Sequence, residues 1–341
     1  MQRSSGSQMA VDALRYLAEG NDKMEEHPAP RWLIVALAVT LLILVSGGYW
    51  FYSTQEHQLR QHTEDELQAI AQLKVGEISM WRSERLADAA ILAENPFFVE
   101  SVARWLVTPA AAQSGELLAH FRSLQQHYHY TDVLLVDTDG QVLLSLKEQT
   151  VPLHEETLQA LSAAWRDHEP VMTDLQAGDN ALPIQIDVVA PLRASAESDA
   201  DPIGALILQI DPDQYLYPLI QSWPVPDSSA ETLLIRQDGD AVLFLNELRY
   251  ESGTALTLRI PLTETDVPAV MAVQGQEGIV TGSDYRGVEV LSALKAIPDT
   301  PWFIISKVDT AEVFADWRTR AGLMVALTLG LMAAVGAAGS V

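Results

Sequence analysis

One pattern occurs twice in the chain, about a hundred residues apart, between two long apolar stretches. The first copy reads Val133-Leu134-Leu135-Val136-Asp137-Thr138-Asp139-Gly140, then Gln141-Val142-Leu143-Leu144. The second reads Thr232-Leu233-Leu234-Ile235-Arg236-Gln237-Asp238-Gly239, then Asp240-Ala241-Val242-Leu243. Each is an apolar run, an Asp-Gly turn and a second apolar run, which predicts a β-hairpin because glycine supplies the positive φ of a tight turn. Further on, Ile207-Leu208-Gln209-Ile210-Asp211 has its echo in Ile305-Ser306-Lys307-Val308-Asp309. The offset is 99 residues for the first landmark and 98 for the second, so the sequence predicts two similar small domains in tandem.

Composition narrows the function. A length of 341 residues accommodates two modest domains and more besides. A formal net charge of −25 excludes nucleic acid as a partner, since that binding rests on Lys and Arg neutralising phosphates. It also disfavours broad docking on anionic lipid. There is no cysteine, which removes thiol catalysis, disulfides and thiolate metal sites and fits an extracytoplasmic bacterial domain.

The flanking apolar stretches predict a membrane frame. Residues 32–52 form an uncharged run of 21 residues, enough to cross roughly 30 Å of hydrocarbon. Trp32 stands at one end and Tyr49, Trp50, Phe51 and Tyr52 at the other, as in interfacial aromatic belts. About thirty residues precede the run and no small-residue cleavage site follows it closely, so it reads as a signal anchor. A second uncharged span covers 321–341, rich in Gly and Ala. The chain ends where that helix would emerge, pointing to a receptor that continues beyond Val341. Arg3, Arg15, Lys23 and Arg31 favour a cytoplasmic N-terminus, whereas Arg318 and Arg320 oppose it. The size and acidity of the middle segment place residues 53–320 outside.

Between the spans, residues 63–95 read as one long helix with a capping-box spacing at Thr63-Glu64-Asp65-Glu66, ended by Asn95-Pro96. Further helices are expected over 96–106 and 115–126, and a short one over 11–18 in the tail. The first hairpin (133–146) is followed by a helix over 155–167, a strand over 183–190, a polar loop over 193–202 and a strand over 203–210. A helix is expected over 211–220. The second hairpin (232–245) precedes strands at 278–281, 288–297 and 302–308. The segments VAPLR (189–193) and LSALK (291–295) align with an offset of 102, which makes the final loop of the second copy about four residues shorter.

This arrangement resembles the double Cache sensors, tandem PAS-like extracytoplasmic domains of bacterial histidine kinases, diguanylate cyclases and chemoreceptors. The hairpins VLLVDTDGQVLLS and TLLIRQDGDAVLF, and the strand GALILQID followed by a helix, carry the resemblance over roughly residues 53–320. It implies an α+β fold of two antiparallel-sheet modules on a long N-terminal helix, flanked by two transmembrane helices. The expected division is a cytoplasmic tail (1–31), a first span (32–52), stalk and packing helices (53–106), a membrane-distal module (107–215), a membrane-proximal module (216–309), and an exit helix with the second span (310–341). The resemblance places ligands in the membrane-distal module, between its sheet and the crossover segment. The amino-acid-binding subfamily has an Arg-x-Trp-Tyr stretch there; Ala164-Trp165-Arg166-Asp167 stands in its place and argues against an amino-acid ligand.

A receptor pocket needs apolar walls and a few converging polar groups. The candidates in the first module are Tyr128, Tyr130, Trp165, Arg166, Asp174, Gln185 and Asp187, with Arg166 able to clamp a carboxylate and Asp187 to hold an amine. In the second they are Trp223, Arg236, Asn246, Glu247, Arg249, Asp284, Tyr285 and Arg286. Arg236 interrupts an apolar hairpin strand, so it is either paired with a carboxylate or reserved for an anion. No catalytic motif, cofactor-binding motif or metal-ligand cluster is evident, so neither enzyme activity nor a cofactor is expected. The expected function is the ligand-sensing region of a homodimeric inner-membrane receptor that binds a small periplasmic solute. The alternative is a membrane-anchored interaction module without a small ligand.

Overall fold

The computed structural model describes residues 31–147, 152–177, 184–194, 201–223 and 229–339. For residues 31, 33, 34, 36–38, 41, 316, 318, 331, 332 and 334–339 it describes the backbone alone. The chain divides into one unit of residues 1–58 with 316–341 and another of residues 59–315.

The first helix, α1 (Arg31–Glu94), has 64 residues. It runs without a break through the capping-box sequence expected to start it: Thr63 Oγ1 donates back to Leu59 O at 3.1 Å, a bond available only inside a helix. The helix ends where Asn95-Pro96 predicts. Asn95 Oδ1 accepts the N–H groups of Phe97 and Phe98 and so caps α2 (Pro96–Val107), whose first residue is the proline. The next helix, α3 (Ala111–Tyr128), stops at His129 in the left-handed conformation.

The hairpin strands β1 (Asp132–Val136) and β2 (Val142–Leu144) follow. Their turn is closed by Asp137 Oδ1, which accepts N–H groups from Asp139 and Gln141, and by Gly140 at φ 80°. The crossover helix α4 (Glu155–Asp167) has the predicted bounds and buries Thr157, Ala160, Leu161 and Ala164 at helical spacing. Then come β3 (Val171–Met172), β4 (Ile186–Arg193) and β5 (Pro202–Ile210), giving an antiparallel sheet ordered β2-β1-β5-β4-β3.

Residues 211–220, expected as one helix, form a 3₁₀ turn (Pro212–Gln214) and then α5 (Leu216–Gln221). Beyond them lie β6 (Glu231–Asp238), β7 (Ala241–Phe244), β8 (Arg259–Pro261), α6 (Pro268–Val273), β9 (Gly278–Ser283), β10 (Glu289–Ala296) and β11 (Trp302–Asp309). The second sheet is ordered β8-β7-β6-β11-β10-β9 and is also antiparallel. Apart from the edge strand β8, its order repeats that of the first sheet.

The register makes the repeat quantitative. Leu134 pairs with Ile207 in the first sheet and Leu233 with Ile305 in the second, which preserves both sequence offsets, 99 and 98. The offset of 102 for the neighbouring strand does not hold. Ile207 pairs with Val189 and Ile305 with Leu294, so Val189 corresponds to Leu294 at an offset of 105. A change of three residues is odd, and odd shifts move every side chain of a strand to the other face. Apolar patterning alone does not detect such a shift when both faces are buried, as they are here.

One face of each sheet packs on the helices in a shared core. Leu67, Ile78 and Trp81 of α1 meet Val133, Val188 and Leu208 of the first sheet and Leu234, Leu291 and Ile304 of the second. The opposite faces have separate cores. In the first, Leu134, Val136, Val189 and Ile207 lie with Ala160, Leu161 and Ala164 of α4. In the second, Leu233, Val242, Leu294 and Ile305 lie with Ala269, Val270 and Ala272 of α6. The elements β3, β8 and α6 span 2, 3 and 6 residues, too short for periodicity to announce.

The chain continues through α7 (Thr310–Val313) into α8 (Ala315–Gly339). Within the unit of residues 1–58 and 316–341, Phe51 and Tyr52 lie against Trp317, with ring centroids 6.0 and 5.7 Å apart. Among the described residues no helix is long and apolar enough to cross a membrane. The helix expected over 11–18, most of the polar loop at 193–202, and Pro183 and Pro224 lie outside the described residues.

Candidate functional site

Each sheet carries a polar row across its three central strands, on the face covered by the crossover. In the first sheet Asp132 (β1) pairs with Gln209 (β5), which pairs with Asp187 (β4). All three share the alternation of Leu134, Ile207 and Val189, so they point toward α4.

Asp187 is fully buried. Thr157 Oγ1 on α4 donates to its Oδ2 at 2.6 Å, and Gln185 Nε2 donates at 3.3 and 3.4 Å. Thr157 Oγ1 also lies 3.3 Å from Gln176 Oε1. A hydroxyl has one proton, and the shorter, charged contact takes it, so Gln176 is better turned to donate its amide N–H to that oxygen. In either orientation one polar atom of the buried Gln176 amide is left without a partner among the described residues. Asp132 differs from Asp187 in being saturated: it accepts from Val133 N–H, Leu146 N–H and Ser145 Oγ.

Among the described residues, no Lys, Arg or His forms an ion pair with Asp187 or Asp132. Lys147 reaches only Gln209 Oε1, at 3.4 Å. Burial pushes the Asp187 carboxyl up to about 6, against the Thr157 hydroxyl, His154, Gln185 and Lys147, which favour the charged form. A buried carboxylate without a cation is costly when ionised, so this one is poised either to take a proton or to accept a cation from outside.

The second sheet has the corresponding row Glu231 (β6), Lys307 (β11) and Ser292 (β10). Here a cation is built in. Lys307 is buried, with Nζ 2.9 Å from Glu231 Oε2 and 2.8 Å from Asp284 Oδ2. Tyr285 donates its hydroxyl to Glu231 at 3.0 Å and sets its ring 5.0 Å from the ammonium. Arg286 bridges Asp284 and Asp309. Burial pushes the Asp284 carboxyl up, but hydrogen bonds from Arg286 and Lys307 outweigh it and hold the group below its ordinary value. Burial, then Glu231, push the Tyr285 phenol up.

The residues singled out from sequence are distributed as follows. Asp187 lies in the first polar row, Gln185 donates to it from the residue before β4, and Trp165 is half-buried in the α4-side core. Arg166 is exposed and held by both oxygens of its neighbour Asp167 at 2.9 Å, so it is not positioned to clamp a ligand. Tyr128 and Tyr130 stack at 6.0 Å, with the Tyr130 side chain in the stem-side core, across the sheet from Asp187. Asp174 and Arg236, assigned to separate pockets by sequence, face each other: Arg236 Nε lies 3.3 Å from Asp174 Oδ2, and Trp302 Nε1 donates to Asp174 Oδ1 at 2.6 Å. This contact joins the two modules.

Trp223 packs half-buried against the shared core. Asn246 accepts Leu234 N–H and donates to Glu247 O, which splices the end of β7 to β6. Glu247 accepts N–H groups of Gly253 and Thr254. Arg249 donates its backbone N–H to Glu231, joining Tyr285, Asp284 and Arg286 around the Lys307 cluster. Sequence reasoning missed Thr157, Gln176, Asp132, Glu231 and Lys307. Three of them had a visible signal, since the repeat offsets superpose Asp132 on Glu231 and Gln209 on Lys307.

No family model matches the chain, and no curated protein matches it in sequence. Solved structures do match. The ligand-binding domain of the Campylobacter jejuni chemoreceptor Tlp3, in complex with L-norvaline, is 14% identical over 75% of this chain and 94% of that one, with a TM-score of 0.53. The domain of the Pseudomonas aeruginosa PAO1 amino acid chemoreceptor PctB with L-Gln is 15% identical over 77% and 99%, at 0.51. The domain of the Pseudomonas fluorescens chemoreceptor CtaA with L-isoleucine is 14% identical over 77% and 98%, at 0.50. At this identity the likeness establishes the fold.

Proposed function

Starting from the double Cache fold of these neighbours, we propose that the chain is the extracytoplasmic sensing region of a membrane signalling receptor, and that its first module binds a small solute bearing a protonated amine. The observation that carries this reading is Asp187, a fully buried carboxylate beside an amide with an open polar atom and with no ion-pair partner among the described residues. A ligand ammonium would supply the missing charge and several N–H donors. Thr157 on the crossover helix and Gln185 just before β4 both bond to Asp187, so occupancy would be felt by both the helix and the sheet. The neighbours' printed ligands are amino acids, which carry such an ammonium. Arg166 faces away here, so the amine, rather than a carboxylate clamp, is the group this chain is built to read.

In this reading the apolar stretches at 32–52 and 321–341 anchor the region in the inner membrane, the module boundaries stand at 107–215 and 216–309, and the receptor works as a homodimer. The uncharged, aromatic-flanked sequence of the first stretch supports the anchor. Any catalytic output would reside outside these modules.

The test is thermal unfolding of the full chain in lipid nanodiscs against a panel of primary amines, amino acids and polyamines. At least one amine should stabilise the protein saturably, and Asp187→Asn should abolish the effect. A panel without any cationic stabiliser would rule out this reading and leave a membrane-anchored interaction module in its place.

A further inference from the structure

The two polar rows occupy the same place in their sheets and differ in one respect. Gln209 pairs with Asp132 in the first sheet, and Lys307 pairs with Glu231 in the second. The first row has two carboxylates, neither in an ion pair among the described residues, and Lys147 reaches only the Gln209 amide between them. The second has Glu231 and Asp284 closed on a lysine that is 1% exposed. At the position of Asp187 the second sheet has Ser292, fully buried, on the same face as Lys307, its hydroxyl without a partner among the described residues. A buried hydroxyl left open on the strand neighbouring a buried ammonium is unexpected in a cluster built only for stability, where buried polar groups are satisfied. It fits a pocket shaped for a ligand and filled by a side chain instead.

We propose that the second module carries the counterpart of the first module's amine site, permanently occupied by the chain's own Lys307. The ammonium of Lys307 takes the place of a ligand ammonium: Glu231 and Asp284 hold it by charge, and the Tyr285 ring lines its path. The second module is therefore fixed in its occupied form, and ligand dependence is left to the first. This inference rests on the amine reading of the first module.

Truncating Lys307 to alanine removes Cγ, Cδ, Cε and Nζ, the heavy atoms of propylammonium. The test uses the full chain in nanodiscs in an Asp187→Asn background, so that the first module does not respond. Lys307→Ala should lower the melting temperature by roughly 10 °C, because it leaves buried carboxylates unpaired. Propylamine in the millimolar range should restore at least half of that loss saturably. Propanol should not, and the Asp187→Asn parent should show no response.

Lys307→Gln, which gives the second module the first module's residue, serves as the second variant and should respond to the shorter methylamine. Propylamine acting no better than propanol on Lys307→Ala, together with no methylamine response of Lys307→Gln, would overturn the inference. So would failure of both variants to fold with amine present. The first-module reading is decided separately, by comparing wild type with Asp187→Asn: an amine response lost there while both Lys307 variants stay silent keeps that reading and removes this one.

Discussion

At the scale of single residues, the protonation of Asp187 decides the behaviour of the first module. Its folded value of about 6 lies above that of an unfolded aspartate, so the folded chain binds the proton more tightly. The unliganded protein therefore loses stability as pH rises from about 4 through 6, by up to about 3 kcal/mol. Amine binding has the opposite dependence, because only the carboxylate attracts the ammonium. Affinity should fall about tenfold per pH unit below 6, as titration calorimetry at pH 5 and pH 7 would read. Asp187→Asn should raise the melting temperature at pH 8, since the amide keeps its Thr157 contact and sheds the burial cost, while the amine response disappears. A flat pH profile would show that another group carries the charge recognition.

At the scale of elements, two contacts position the modules. Lys74 of α1 is 3% exposed and donates to Leu219 O and Ser222 Oγ at the end of α5, as well as to Glu77. It satisfies orphan carbonyl and hydroxyl groups where the chain passes from one module to the next. Lys74→Met keeps the aliphatic stem and should cost about 2 kcal/mol in chemical denaturation. In the second module, Gly282 lets the segment before α6 lie directly on β9: a Cβ there would stand 2.2 Å from Asp266 O. That carbonyl accepts the N–H of Ser283. Gly282→Ala should therefore destabilise the chain by more than 2 kcal/mol or shift the α6 crossover, visible as faster hydrogen exchange in β9 and α6. The long helix, the hairpins and α4 were legible because each carries a full period of its pattern. The short elements β3, β8 and α6 were not, because their residues are chosen by contacts with distant strands.

At the scale of the whole molecule, the joint between modules is the Asp174–Trp302–Arg236 contact, braced by Arg82 over the Trp302 ring at 5.6 Å. Asp174 stands two residues before Gln176 and next to Thr173, whose N–H bonds Asp187 O at 2.8 Å. A rearrangement at the amine site thus has a short bonded route into β6 and β11. Trp302→Phe keeps an aromatic ring in the core and removes the donor to Asp174. It should leave amine affinity within about twofold, yet abolish amine-induced slowing of hydrogen exchange in β6 and β11. Exchange that slows as in wild type would mean that the modules communicate by another path, such as the shared core on α1.

The tandem architecture, the antiparallel hairpins, the stem helix and the acidic, cysteine-free character were written in local sequence, because periodicity, turn chemistry and composition act over a few residues. Asp187 and Gln185 could be named as polar residues within a strand pattern for the same reason. Tertiary structure alone decided which face of the sheet each polar residue occupies, that Arg166 points to solvent, and that Asp174 and Arg236 meet across modules. It also decided that, among the described residues, the carboxylates of one polar row have no ion-pair partner while the other row contains its own lysine. These outcomes depend on strand register and on the seating of the crossovers, where one residue of slip exchanges the two faces of a strand and no local pattern records the choice.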